Sequence, residues 1–247
     1  MPRLPAISLE NEEEIKDYLG QFVKDEKFDN LKYALDFFKN SNQSLTLKGE
    51  YYQLDKKYNL NQYKTELPIC VVAPGRNLLK NLMYLQFLKS MEFQNYSNYR
   101  VIITDDDSTD GTYDVFKEKI KHFPRLRTRT TLIKNDRNVG ALGNKYLTIS
   151  NHCKKGDIVF DMDADDVLIG RQVMKLMNTL YQSTGKWFIY SNFVWEKTPT
   201  IIVKGLSTQI KPNVFATNSY RLSEGWVTSA LRTYLRDLYI KIPKEYF

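Results

Sequence analysis

The sequence of 247 residues has little from which to build a disulfide scaffold, a zinc site or a histidine-based centre: two cysteines, Cys70 and Cys153, and two histidines, His122 and His152. Two cysteines in a chain this long define no disulfide framework. Cys70 stands in an apolar run and reads as a buried thiol, and the redox compartment stays open. Both histidines lie in basic or helical contexts and read as surface residues rather than ligands. The N-terminal stretch Met1-Pro2-Arg3-Leu4-Pro5 lacks the apolar core of a signal peptide. No run approaches the ~18 apolar residues of a membrane span. The expected location is therefore cytoplasmic or peripheral to a membrane, with no transmembrane segment.

Several site types are also missing. No G-x-G-x-x-G follows the first apolar strand, and there is no Walker lysine loop. Asp106, Ser108, Asp110 and Gly111 imitate the start of a calcium loop, but the twelfth position is Lys117 where a glutamate is required. A haloacid-dehalogenase-type phosphatase would resemble D-x-D-x-T/V at the first strand; here the aspartates come at the fourth, and Asp165 stands at the Thr/Val position. Net charge is +7, which suits an anionic small molecule, a phosphate or a membrane surface. The basic bias is densest over Lys117–Arg137. No RNP, zinc-finger or zipper pattern accompanies it, so it reads as a solvated helix face and loop, and no nucleic-acid partner is expected.

What is present is a sizeable core: 42% hydrophobic and 13% aromatic residues rule out global disorder. Residues 1–66 read as a helical N-terminal extension. Asn11-Glu12-Glu13-Glu14 is a helix start, Ile15, Leu19, Phe22 and Val23 follow at helical spacing, and Leu31, Ala34, Leu35 and Phe38 suggest a second helix. From Leu67 the pattern changes. Ile69–Ala73 is a short apolar run ending at Pro74-Gly75, as expected of a strand buried on both faces. Leu78, Leu82, Leu85 and Leu88 then form a helical stripe. Val101–Thr104 is a second strand, followed by a helix opening at Asp110-Gly111-Thr112 with Val115, Phe116 and Ile120 inward. Thr130–Ile133 is a third strand, Ala141–His152 a helix, and Asp157–Met162 a fourth strand. Such alternation predicts an α/β fold, a mostly parallel sheet with helices on both faces. Trp187–Trp195 reads as a further strand with Ile201–Val203 as partner, and Leu231, Leu235, Leu238 and Ile242 keep helical spacing.

Chemistry concentrates at Val159–Asp166, where Asp161, Asp163, Asp165 and Asp166 crowd behind an apolar strand. Two like charges ~4 Å apart repel by ~4 kcal/mol at an effective dielectric near 20. Either the cluster is a solvated acidic turn or a cation offsets it; oxygen-only ligands favour Mg2+, Mn2+ or Ca2+ over zinc. A second acidic strand end, Asp105-Asp106-Asp107, lies in the same sheet, and ligands of such sheets bind beyond the carboxyl ends of the strands.

The ordered set Pro74…Asn77, Ile102-Ile103-Thr104-Asp105-Asp106-Asp107-Ser108-Thr109-Asp110-Gly111-Thr112, Asn138-Val139-Gly140 and Gly156-Asp157…Asp163-Ala164-Asp165-Asp166 resembles the family-2 glycosyltransferases of GT-A, Rossmann-like fold, over about residues 68–170. The resemblance implies a donor-binding half at 67–170 and the start of an acceptor half at 171–247. It implies donor-nucleotide contacts at Ala73, Pro74, Asn77, Asp105, Asp106, Lys145 and Asp163, with Asp106 accepting from the uracil imide N–H and Lys145 over the nucleotide. It implies a divalent metal, Mn2+ or Mg2+, at Asp163, Asp165 and Asp166. The activity implied is inverting transfer from a nucleotide-diphosphate sugar, with a UDP-sugar expected, to a glycan, lipid or protein acceptor. Arg76, Asp107 and Tyr146 depart from the family's usual residues. Gly225–Tyr234 resembles a W-x-x-S-H-L-R-T-F segment of one branch, with Ala230 in place of the histidine, that continues into a helix. In relatives the general base follows that helix; the sequence stops at Phe247, so no catalytic residue is assigned. A catalytically incomplete nucleotide-sugar-binding module stays open as the alternative.

Overall fold

The computed structural model describes residues 59–80, 82–168, 170–191, 193–198, 201–205, 213, 217 and 229–246. The expected helices at Asn11–Val23 and Leu31–Phe38 lie outside the described residues. By contacts the chain divides into two compact units, one of Asp55–Phe193 with Leu206–Phe247, the other of Met1–Leu54 with Val194–Gly205. In the second, β6 (Phe193–Thr198) and β7 (Ile201–Gly205) pair as a two-stranded ribbon.

The larger unit is built on a six-stranded sheet. Its elements are β1 (Ile69–Gly75), α1 (Met83–Glu92), β2 (Tyr99–Asp105), α2 (Thr112–Lys119), β3 (Thr130–Lys134), α3 (Gly140–His152), β4 (Ile158–Asp161), α4 (Val173–Thr184), β5 (Phe188–Ser191), β8 (Ser229–Leu235) and the short α5 (Arg236–Tyr239). Strand order is β3-β2-β1-β4-β8-β5. β1 runs parallel to β2 and β4, β2 parallel to β3, and β8 lies antiparallel between β4 and β5. This is the mostly parallel α/β sheet that the alternating pattern predicts.

The apolar strands fill the middle of the molecule. Ile69 to Ala73 are wholly buried, as are Ile158 to Phe160. α3 covers one face: Ile149 and Cys153 pack on Cys70, Val72, Ile102, Val159 and Tyr234. α4 covers the other, where the Tyr181 hydroxyl lies 3.0 Å from Thr233 Oγ1, and α1 joins it there through Gln94 Oε1, which accepts from Met174 N at 3.2 Å. Because β2 and β3 lie on one side of β1 and β4 on the other, the strand order reverses between β1 and β4, and sheets of this kind take their ligands beyond the carboxyl ends at that point.

Four sequence expectations are corrected. Cys70 is not a free thiol: it is disulfide-bonded to Cys153, Cα–Cα 6.0 Å, across the α3 face of the sheet. Sequence spacing carries no signal for such a pair, which only the crossover of α3 brings together. The leucine stripe is replaced on α1 by Tyr84, Phe87, Leu88 and Met91. Leu78 falls in a short 3-10 turn because Leu78 N and Leu79 N donate to Thr112 Oγ1 and Asp110 Oδ2 at 2.9 and 3.0 Å, which draws that backbone to the neighbouring loop. The run Trp187–Trp195 divides into β5 and β6, which pair in different sheets; period-two spacing does not reveal a change of partner. The spacing from Leu231 to Ile242 does not make one helix. Residues 229–235 form β8, which closes the free edge of β4 and so satisfies its backbone groups.

Candidate active site at the carboxyl ends of the strands

β4 ends at Asp161, and the next residues continue the parallel pairing with β1: Met162 N donates to Val72 O at 3.3 Å and Ala164 N to Pro74 O at 3.1 Å. The chain then turns tightly. Asp166 N donates to Asp163 O at 3.0 Å, and Asp163 N donates back to Asp166 Oδ2 at 3.2 Å. The acidic turn is thereby docked on the end of β1. Gly75 permits this approach: a Cβ there would lie 2.4 Å from Leu78 Cδ1 and 3.3 Å from Ala164 Cβ.

The turn's charges are unevenly served. Asp161 is 7% exposed and well matched: Lys145 Nζ is 2.7 Å from Oδ1, the Tyr234 hydroxyl donates to Oδ2 at 3.3 Å, and Arg232 Nε stands 3.7 Å from Oδ2. Burial and the Asp161 charge push the Tyr234 phenol well above its usual range, so it remains a donor. Lys145 Nζ also lies 3.4 Å from Asp163 Oδ1. Asp165 is pushed up by burial and by the Asp163 charge. Asp166 is pushed up chiefly by burial, with the Asp163 and Asp165 charges adding to it, against the opposing Asp163 N–H and, more weakly, Lys145. Asp163, the Lys145 contact apart, is exposed. The surplus negative charge sits on Asp163, Asp165 and Asp166, the three residues the sequence nominated for a metal. Among the described residues the one trio of Asp, Glu, His or Cys ligand atoms within 4.8 Å of one another is Cys70, Cys153 and Asp157, and its two sulfurs are joined to each other.

The loops after β1 and β2 are laced together. Asn77, in the left-handed region at φ 53°, receives Thr109 N on Oδ1 at 2.9 Å and gives its own N–H to Ser108 Oγ at 2.9 Å. Arg76 Nε donates to Asp107 O at 3.5 Å. Ala73 and Pro74 are buried in β1. Asp105 is buried; its Oδ2 accepts from Ser108 N at 3.3 Å, and its Oδ1 has no hydrogen-bond partner among the described residues.

Asp106 faces the start of α3. Its Oδ1 accepts from Asn135 Nδ2 at 3.0 Å and Val139 N at 2.8 Å, and its Oδ2 from Gly140 N at 2.9 Å. Burial alone would raise this carboxyl, but the donors outweigh it and hold it below the usual carboxylate value. The Asn144 side chain also lowers it, so these partners call on most of a carboxylate's roughly four acceptor positions.

The structure thus sets Lys145 against Asp161 and Asp163 and docks the Asp163–Asp166 turn on Pro74 through Ala164 N, while the carboxylate oxygens of Asp163, Asp165 and Asp166 do not gather within 4.8 Å of one another. It shows Asn77 and Asp106 already engaged in holding loops. Sequence reasoning missed Asp161, Tyr234 and Arg232 as one hub: Asp161 reads as part of the acidic cluster, and the β8 residues read as helix. Asp237, the carboxylate that follows β8, stands at the opposite edge, where Arg236 N donates to Asp157 O at 2.9 Å.

Comparison with known proteins bears on this site. The family model for glycosyl transferase family 2 matches residues 80–242. A glucosyltransferase of Escherichia coli, UDP-Glc:alpha-D-GlcNAc-diphosphoundecaprenol beta-1,3-glucosyltransferase WfaP, is 33% identical over 105 residues, 42% of this chain and 38% of that protein. EpsE of Bacillus subtilis (strain 168) is 35% identical over 92 residues, 36% of this chain and 30% of that one. The matched stretch therefore spans well under half the length of these curated relatives. Among solved structures, the mannosyltransferase PcManGT of Pyrobaculum calidifontis, in complex with GDP-Man and Mn2+, superposes with TM-score 0.50 at 16% identity, over 85% of this chain and 58% of that one. That last likeness is one of fold.

Proposed function

The chain belongs to glycosyl transferase family 2, and on that premise we propose that it binds a nucleotide-diphosphate sugar beyond the carboxyl ends of β1, β2 and β4 and transfers the sugar, with inversion, to an acceptor hydroxyl. In this reading residues 67–170 are the donor-binding half and 171–247 begin the acceptor half. The observation that carries it is the acidic turn docked on β1, with Asp165 and Asp166 pushed up by burial and by the charges around them. A group that repels itself at the reversal point of an α/β sheet is poised for a cation.

The residues are three carboxylates of one turn, whose chemistry suits a hard divalent ion such as Mn2+ or Mg2+, and their oxygens, not within 4.8 Å of one another here, would close on it. Asp163, Asp165 and Asp166 would hold it. When bound, such an ion offsets the charge that develops on a departing nucleoside diphosphate. The chain's own residues do the rest. Ala73, Pro74 and the Asn77 loop form the wall for the base. The Asp106 carboxylate is an acceptor of the kind the imide N–H of uracil needs, while Asp105 supports the same strand end. Lys145 holds Asp161 and Asp163 in line and so fixes the turn before the donor arrives.

A UDP-sugar is the donor proposed. The E. coli relative is described with UDP-Glc and the archaeal structure with GDP-Man, which supports a nucleotide sugar in general, and the GDP-sugar is the comparison to run. The acceptor is a glycan, lipid or protein hydroxyl. Release of free nucleotide from UDP-glucose, UDP-GlcNAc and GDP-mannose, with and without Mn2+, tests the proposal. Metal-dependent release by the wild type, lost in Asp165→Asn, is the expected result. Metal-independent release, or release unchanged in the variant, would overturn it.

A further inference from the structure

Lys145 is the cation that the sequence nominates for the nucleotide, yet its side chain is 12% exposed and its Nζ is committed to Asp161 and Asp163 at 2.7 and 3.4 Å. A second cation stands at the same level of the sheet. β8 enters antiparallel beside β4, and its register sets Arg232 opposite Asp161. Arg232 and Tyr234 alternate onto the α3 face, and Thr233 between them turns to α4. The Arg232 side chain is 33% exposed, so unlike Lys145 it reaches solvent. Its Nε is buried, 3.7 Å from Asp161 Oδ2, beyond hydrogen-bond range, and has no partner among the described residues. Asp161 has an ion-pair partner in Lys145 at Oδ1 and a hydrogen-bond donor in Tyr234 at Oδ2, although Oδ1 makes no hydrogen bond among the described residues.

We infer that Arg232 is a binding residue for the donor's diphosphate, supplied by the acceptor half and held in place by Asp161. The inference rests on the donor-site reading above and adds to it the group that reads the phosphates. Three features point the same way. A guanidinium offers five N–H donors in a planar fork that matches two phosphate oxygens, which an ammonium does not. Asp161 meets the side chain only through a long contact, 3.7 Å from Nε. With the Asp161 charge offset by Lys145, the positive charge of Arg232 remains for an incoming anion. The same strand that closes the sheet would then carry the phosphate contact, so a donor half cut off before β8 would hold the nucleoside and lose the diphosphate.

The test compares UDP, uridine and inorganic pyrophosphate as probes in Mn2+, by calorimetry, for the full chain and for Arg232→Gln and Arg232→Lys. Arg232→Gln is expected to weaken UDP and pyrophosphate by roughly tenfold or more, the worth of a charge-assisted contact, and to leave uridine within about twofold. Arg232→Lys keeps a cation against Asp161, which guards against misfolding, and is expected to fall between wild type and Arg232→Gln for both phosphate probes. Equal weakening of UDP and uridine would mean that Arg232 only supports the fold, and unchanged UDP binding in Arg232→Gln would remove it from the site; either overturns the inference. Absence of UDP and GDP binding by the wild type would instead strike at the donor reading itself.

Discussion

Lys145 Nζ stands 2.7 Å from Asp161 Oδ1, with both side chains nearly buried. The pair joins α3 to the last residue of β4, one step before the acidic turn begins. Removing one partner of a buried pair leaves an uncompensated charge, which costs about 3–5 kcal/mol. Lys145→Met is therefore expected to lower unfolding free energy by about 3 kcal/mol, and Lys145→Met with Asp161→Asn to cost less than the sum of the two single changes. Urea denaturation of the four proteins reads this directly; additive losses would show that the pair is not coupled.

The close approach of Gly75 to the turn gives a second expectation. In Gly75→Ala the new methyl meets Leu78 Cδ1 at 2.4 Å and Ala164 Cβ at 3.3 Å. Overpacking of this kind costs about 1–3 kcal/mol. Leu78 is the movable neighbour, so adding Leu78→Ala should return part of the loss. Thermal melts of the single and double variants check it, and a double variant less stable than Gly75→Ala would contradict the contact.

Asp106 sets a pH dependence whose sign follows from its partners. The Val139, Gly140 and Asn135 donors hold its carboxyl below the usual carboxylate value in the folded state. A group with a depressed folded pKa stabilises the fold above its unfolded pKa and loses that contribution as pH falls through the folded value. The stability gap between wild type and Asp106→Asn should therefore be full at pH 7 and narrow below about pH 4. A gap that stays constant from pH 7 to pH 3 would show that charge on Asp106 is not what ties the start of α3.

The disulfide closes a span of 83 residues. In the chain-entropy description a loop of that size contributes about 4–5 kcal/mol by restricting the unfolded chain. Denaturation in reductant, or of Cys70→Ala with Cys153→Ala, should shift the midpoint downward and steepen the slope, because the unfolded chain without the cross-link exposes more surface. An unshifted midpoint would mean that the cross-link adds no stability.

Much of this was legible in the residues. Ile69–Ala73, Val101–Thr104 and Ile158–Phe160 are apolar runs bounded by turn residues, and each is a buried strand of the parallel sheet. Asp163-Ala164-Asp165-Asp166 announced itself by its charge cost. The rest depended on partners that spacing does not encode. Arg232 and Tyr234 sit in a stretch with helical spacing and become strand because β4 has an edge to fill. Leu78 fits an apolar stripe, yet its N–H group goes to Thr112. Cys70 and Cys153 meet because α3 crosses back over β1. Asp106 and Asn77 were read for the ligand, and the structure gives each a loop to hold.

The most direct measurement is calorimetric binding of UDP to the full chain with and without Mn2+, for the wild type and Asp165→Asn. Binding that strengthens with Mn2+ in the wild type, by roughly tenfold or more, and does not in Asp165→Asn is the predicted result. UDP binding indifferent to Mn2+, or the same metal dependence in Asp165→Asn, would contradict the assignment of Asp163–Asp166 as the wall of a nucleotide-diphosphate site.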